Sequence, residues 1–226
     1  MNKVYDMDEL YSFSDEWKPE FDGFCLTIDN FYKDADTLHD HIMNRDFPLW
    51  KYNAERDSQN TKDYYDCRIN DNVSHPTRKY YADMDRLIHF CRKYYWSGHY
   101  TWSNFYEFNL FKSITIDDKR IQHYPHTDEE LTTPDNRSTL NMIVYLDKND
   151  DGGTAVYNGE WITNDERFNL MYPVEERFTV DRIIPAKFNR CVIFPGNRIH
   201  GAWVDDYSKV KDSWRCSQVR FLHPRF

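Results

Sequence analysis

The sequence predicts a mainly β protein, a sandwich or barrel carried by the second half of the chain, with a short strand and supporting helices before it. The first observation is a series of short β-prone runs after about residue 104. They cover residues 105–111, 121–124, 139–146, 154–157, 178–184, 191–194 and 214–222, and turn residues separate many of them. The second is the absence of strand–helix alternation after residue 100, so a parallel α/β sheet is not expected. The third is an aromatic content of 17%, which suits strands and broad ring-lined surfaces.

The first half reads as support. Phe24-Cys25-Leu26-Thr27-Ile28 is a short strand, and residues 34–44 form a helix with Leu38, His41 and Ile42 on one face. Residues 46–73 are polar and read as irregular. A second helix is expected from about Pro76 to Tyr95, where Tyr80, Tyr81, Met84, Leu87, Ile88, Cys91, Tyr94 and Tyr95 recur at steps of three and four. Pro76 suits its first turn, and Ser74 is placed to cap it. One domain over residues 1–226 is expected, with support in 1–103 and the β-rich core in 104–226. Five of the seven glycines lie between 152 and 201, which puts the tightest backbone geometry there.

Charge and cysteine usage exclude several classes. With 29 Lys and Arg against 38 Asp and Glu, the net charge is −9, which argues against a large nucleic-acid surface. No apolar run approaches the ~20 residues that span a bilayer, and residues 1–20 lack a signal-like apolar core, so a cytoplasmic protein is expected. The five cysteines are widely spaced without a CxxC pair, so buried free thiols are expected in place of disulfides or a zinc site.

Chemistry concentrates in three places. In Tyr124-Pro125-His126-Thr127-Asp128, residues two apart on an extended segment share a side, so His126 and Asp128 aim an imidazole and a carboxylate at one point. His200, in Phe194-Pro195-Gly196-Asn197-Arg198-Ile199-His200-Gly201, is the best candidate for a second imidazole. Two imidazoles and one carboxylate on one face of an octahedron leave three positions open, which favours non-haem Fe(II) over tetrahedral zinc. In Trp214-Arg215-Cys216-Ser217-Gln218-Val219-Arg220, Arg215 and Ser217 face one side of a strand and make a carboxylate clamp; Arg220 ranks second as the anchor.

These pieces resemble the 2-oxoglutarate/Fe(II)-dependent dioxygenases, on their prolyl-4-hydroxylase-like side. Residues 124–128, 140–147, 151–157, 194–201 and 215–217 carry the resemblance in order, with His200 lying 74 positions after His126 and Arg215 another 15 on. The resemblance covers roughly residues 104–222. It implies a double-stranded β-helix, a jelly-roll or cupin-like barrel, with Fe(II) held by His126, Asp128 and His200. It implies that Arg215 and Ser217 hold the distal carboxylate of 2-oxoglutarate, with Tyr124 bonding the same group. The gap to Arg215 exceeds that usual in prolyl hydroxylases, so the choice between Arg215 and Arg220 stays open.

The implied reaction consumes O2 and 2-oxoglutarate, releases succinate and CO2, and oxidises a C–H bond of a peptide side chain or small molecule, with ascorbate as an optional reductant. Asp128 argues for hydroxylation, because related halogenases lack this carboxylate. No nucleic-acid or membrane partner is expected, and the sequence sets no oligomeric state. Two alternatives stand beside this reading: a cupin-type metal enzyme that does not use 2-oxoglutarate, and a non-catalytic jelly-roll binding protein.

Bland readings accompany the other features. His123 falls on the strand face opposite His126, and His39, His41, His89 and His223 read as packing or surface residues. Gly152-Gly153-Thr154 lacks a following P-loop lysine, and residues 147–151 do not match an EF-hand, so both read as strand connections. Arg137, Tyr157, Trp161 and Trp203 are candidates for the pocket border, with plain packing at least as good a role. The loops 129–138 and 158–178 are expected to shape substrate access.

Overall fold

The computed structural model describes residues 6–44, 64–72, 77–102, 105–113, 125–129, 133–160, 177–211 and 213–226. Ser74, Pro76, the run 121–124 with Tyr124, Trp161 and most of the 158–178 loop lie outside the described residues.

The N-terminal support comprises α1 (Met7–Leu10), β1 (Glu20–Phe21), β2 (Leu26–Ile28), α2 (Ala35–Met43), β3 (Tyr64–Asn72) and α3 (Arg78–Tyr94). The helices begin where side chains satisfy their first orphan amides. Asp34 Oδ1 accepts from Thr37 N at 3.0 Å before α2, and Thr77 Oγ1 accepts from Tyr80 N at 3.3 Å before α3. The buried stripe of α3 is Tyr80, Asp83, Met84, Leu87, Ile88 and Cys91. Tyr81, expected in that stripe, is 46% exposed because it stands one step off the three-and-four spacing.

The β-rich half continues with β4 (His99–Thr101), β5 (Phe105–Ser113), β6 (Leu140–Tyr145), β7 (Gly153–Gly159), β8 (Phe178–Pro185), β9 (Arg190–Pro195), β10 (His200–Trp203) and β11 (Arg215–Arg225). A large antiparallel sheet runs β1-β2-β9-β6-β11-β5-β3, with β4 beside β11, and a small sheet runs β10-β7-β8. Along the chain, β6 lies in the large sheet, β7 and β8 in the small one, β9 in the large, β10 in the small and β11 in the large. This crossing between two facing sheets is the double-stranded β-helix. The polar stretch read as irregular over 46–73 contains β3, which pairs with β5 from Tyr64↔Ser113 to Asn72↔Phe105. A strand fixed by a partner about forty residues away leaves little local signal.

β6 is buried along nearly its whole length, because it is covered on both sides. Its even residues Leu140, Met142 and Val144 pack with Leu38 and Ile42 of α2 and Met84, Leu87 and Ile88 of α3. Its odd residues Ile143 and Tyr145 face into the barrel with Val192, Phe194, Val156 and Ile184. Each fully buried aliphatic side chain here stabilises the fold by about 1.5–3 kcal/mol. The connection ahead of β7 turns on Gly152 at φ +63°, where an added Cβ would lie 2.0 Å from the Trp203 carbonyl oxygen, so glycine is required. The four cysteines with described side chains, Cys25, Cys91, Cys191 and Cys216, are free and buried, and burial pushes the Cys25 and Cys91 thiols up to about 12.

Candidate metal centre

The structure brings His126, Asp128 and His200 together: one ligand atom from each lies within 4.8 Å of the others. The cause is backbone pairing. His126 and His200 exchange both N–H···O bonds at 2.9 Å as an antiparallel bridge, which puts their side chains on one face. Asp128 N then donates to Gly196 O at 2.9 Å. The 126–128 segment, expected as a strand, is thus held by two backbone bonds to His200 at the start of β10 and one to Gly196 in the turn that follows β9.

The donor set suits a divalent cation. His200 Nε2 lies 3.2 Å from Asp128 Oδ2, and His126 Nε2 lies 4.0 Å from Asp128 Oδ1. Cis ligands each about 2.1 Å from a cation stand about 3 Å apart, so small side-chain rotations close the shell. His200 Nδ1 lies 2.8 Å from the Arg198 carbonyl, which accepts a hydrogen bond from Nδ1–H and leaves the Nε2 lone pair facing the site. Burial opposes charge on Asp128, yet the neighbouring His200 and His126 imidazoles and the Asn141 amide hold its carboxyl down to about 2. It is therefore ionised at neutral pH, as a ligand must be. The His200 ring is edge-on to Phe194 at 5.0 Å, and Phe194 stacks with Phe24 at 6.2 Å, which gives one wall of the mouth an apolar lining.

Thr133 and Asp135 are tied to this turn. Asn197 Nδ2 donates to Asp135 Oδ1 at 2.8 Å and to the Thr133 carbonyl at 2.5 Å, while Arg198 Nη2 meets Asp135 Oδ2 at 2.5 Å. Arg198, near His200 in sequence, is therefore spent on the rim. His223 is exposed and sits 3.2 Å from Thr139 Oγ1, which fits its bland reading.

The barrel face is continuous from the metal ligands inward. Phe194, Asn141 and Phe221 are register neighbours at the ligand end, followed by Val192, Ile143 and Val219, and then by Arg190, Tyr145 and Ser217. From Asn141 to Tyr145 is four residues, about 13 Å along the strand. Arg215 follows Ser217 on the same side. It is 7% exposed, and its Nη2 donates to the Gly153 carbonyl at 2.7 Å. Among the described residues it makes no ion pair with a carboxylate. Tyr145, which sequence reasoning passed over, bonds Thr154 Oγ1 at 2.7 Å beside it; burial raises its hydroxyl pKa while the Arg215 charge opposes that.

Arg220 lies on the other side of β11. It is 2% exposed, with Nη1 3.1 Å from Met84 Sδ and its guanidinium 5.8 Å from the Tyr80 ring centre, so it packs under α3. Tyr157 is buried, and Trp203 is half-buried with its indole N–H on Asp205 at 2.6 Å.

No protein-family model matches the chain, and no curated protein matches it. Solved structures do. HygX from Streptomyces hygroscopicus, with nickel, 2-oxoglutarate and hygromycin B bound, aligns over 91% of this chain and 85% of its own, with a TM-score of 0.52 and 14% identity. A Pseudomonas putida prolyl-4-hydroxylase covers 73% of this chain and 74% of its own at 0.40 and 14%. An oxidoreductase of the 2OG-Fe(II) oxygenase family from Burkholderia pseudomallei covers 73% and 70% at 0.38 and 14%. The latter two superpositions are too loose to argue from. The chain shares with HygX the double-stranded β-helix fold read above from its own strand crossings.

Proposed function

We propose that this chain is a 2-oxoglutarate-dependent Fe(II) oxygenase that hydroxylates a C–H bond of a small molecule or a peptide side chain. The observation that carries the reading is Arg215: a guanidinium buried at 7% exposure, bonded to one backbone carbonyl and lacking a carboxylate partner among the described residues. The buried Asp147 carboxylate lies within electrostatic reach of this guanidinium but accepts no bond from it, so the other N–H groups of Arg215 remain for a ligand carboxylate. A dicarboxylate reaching from the His126–Asp128–His200 cluster supplies it, and 2-oxoglutarate is the dicarboxylate this donor set calls for. HygX, which holds nickel and 2-oxoglutarate, supports the same assignment.

When bound, Fe(II) with O2 and 2-oxoglutarate supplies an oxidant able to attack an unactivated C–H bond, with release of succinate and CO2. The protein's part is positioning. His126, Asp128 and His200 would hold the metal ion, whose remaining coordination would serve co-substrate and O2. Arg215 and Ser217, with the Tyr145 hydroxyl, hold the distal carboxylate. Val192, Ile143 and Phe194 keep the space between dry. Asp128 contributes the carboxylate that favours hydroxylation. The hygromycin B in HygX supports a small molecule as acceptor.

Anaerobic addition of Fe(II) and then 2-oxoglutarate to metal-free protein tests the proposal. A visible charge-transfer absorption that needs both is expected. Its absence, with no uncoupled succinate formation in air, would reject the assignment.

A further inference from the structure

The Phe194-Pro195-Gly196 turn and the strand residue Asn141 meet at the metal ligands in a way the proposed chemistry does not by itself require. Asn141 is 1% exposed. Its Nδ2 lies 2.5 Å from Asp128 Oδ2 and 3.1 Å from His200 Nε2. Its Oδ1 is buried with no hydrogen-bond partner and faces Gly196. The amide orientation follows from chemistry: an ionised carboxylate only accepts, and His200 Nε2 only accepts when Nδ1–H is the donor to the Arg198 carbonyl, so the NH2 end must face both. Leaving a buried carbonyl oxygen unbonded costs about 1–3 kcal/mol, so something holds the side chain in this pose. Gly196 permits it, because a Cβ there would stand 2.8 Å from Asn141 Oδ1 and 3.0 Å from the Thr139 carbonyl.

We infer that Asn141 is a positioning residue of the metal centre, its amide protons holding Asp128 Oδ2 and His200 Nε2 toward one point before the cation arrives, with Gly196 making the room it needs. On loading, the cation takes the His200 lone pair, and the N–H on Asp128 remains to fix the carboxylate's rotation. The inference rests on the proposed metal site. Groups that orient metal ligands in this way typically contribute 10–100-fold to metal affinity.

The test is calorimetric titration of the metal-free full chain with Mn(II), beside its melting temperature. Asn141→Leu keeps the branched shape and heavy-atom count and removes both donors; Asn141→Ala serves as the second variant, and Gly196→Ala displaces the amide without deleting it. The expected result is a 10–100-fold weaker Mn(II) dissociation constant in each, with metal-free Asn141→Leu melting close to the parent. Folded Asn141 variants that bind Mn(II) as the parent does would overturn the inference. So would failure of both to fold, which would make Asn141 a structural residue. A parent protein that binds no Mn(II) would overturn the metal reading itself, which keeps the two failures distinct.

Discussion

Replacing Arg215 by methionine separates a co-substrate anchor from a structural arginine. The guanidinium gives one bond to the Gly153 carbonyl at 2.7 Å and has no carboxylate partner among the described residues. In the metal-free, ligand-free protein the substitution loses that bond, about 1.5–3 kcal/mol for a charged donor. It also relieves the burial of a charge that the nearby Asp147 carboxylate offsets without a bond, a penalty of about 1–3 kcal/mol. Those effects oppose each other, so the melting temperature should change little. With 2-oxoglutarate present the balance reverses: two charge-assisted bonds to the distal carboxylate disappear, about 3 kcal/mol or more, which corresponds to at least ~100-fold weaker binding. Mn(II) affinity should not change, because Arg215 lies beyond Tyr145 on the barrel face, about 13 Å or more along the strand from the metal ligands. Titrating Mn(II)-loaded Arg215→Met with 2-oxoglutarate reads this directly. A lowered melting temperature with intact 2-oxoglutarate affinity would refute the reasoning and make Arg215 a structural residue. Arg220→Met should do what Arg215→Met should not: lower stability through lost packing on Met84 and Tyr80, with 2-oxoglutarate affinity retained.

Mn(II) at 100 times its dissociation constant should stabilise the folded protein by ~2.7 kcal/mol, a rise of roughly 5–10 °C in melting temperature for a chain of this size. Asp128→Ala or a chelator should abolish the rise, as followed by differential scanning fluorimetry. Tyr145→Phe removes a hydroxyl set beside Arg215 and Thr154 and should weaken 2-oxoglutarate by about 1 kcal/mol, roughly five-fold, in the same titration as Arg215→Met. The pair Asp29–Arg190, with Oδ1 at 2.6 Å from Nε and Oδ2 at 3.2 Å from Nη2, joins β2 to β9. The Arg190 bonds, with help from Lys187, hold the Asp29 carboxyl down to about 2. A depressed carboxyl contributes its stability above the unfolded pKa near 4 and loses it as pH falls through 2. Asp29 is 36% exposed, so the contribution is held to about 1 kcal/mol. Acid melts of Asp29→Asn against the parent should therefore differ at pH 7, draw together between about pH 4 and 2, and converge below about pH 2.

Much of the site was legible because it is written in local sequence. His126 and Asp128 stand two apart, and the Phe-Pro-Gly turn announces the bend that returns His200 to them. The spacing Arg215-x-Ser217 fixes a common face on β11 and by the same parity sends Arg220 to the other side, an alternative that sequence alone left open. Tyr145 was not singled out, because β6 is buried on both sides and its apolar run carries no alternation to mark which residues face the barrel. Asn141 stands in the same run; only its register opposite Phe194, and the proximity of Asp128 to that turn, bring its amide to the ligands. β3 went unseen for a different reason: its pairing with β5 is made over a long sequence separation, and its Asp and Asn content lowers its strand propensity. Asn189 is another long-range case. At φ 62° it bonds both backbone groups of Tyr32 and ties the N-terminal support to the turn before β9.

The most direct test of the central claim is anomalous diffraction from crystals grown with Mn(II) and 2-oxoglutarate in the absence of O2. One anomalous peak should stand within about 2.3 Å of a nitrogen of His126, an oxygen of Asp128 and Nε2 of His200, with the keto-diacid running from it to Arg215. A peak elsewhere, or three unliganded side chains around ordered water, would contradict it.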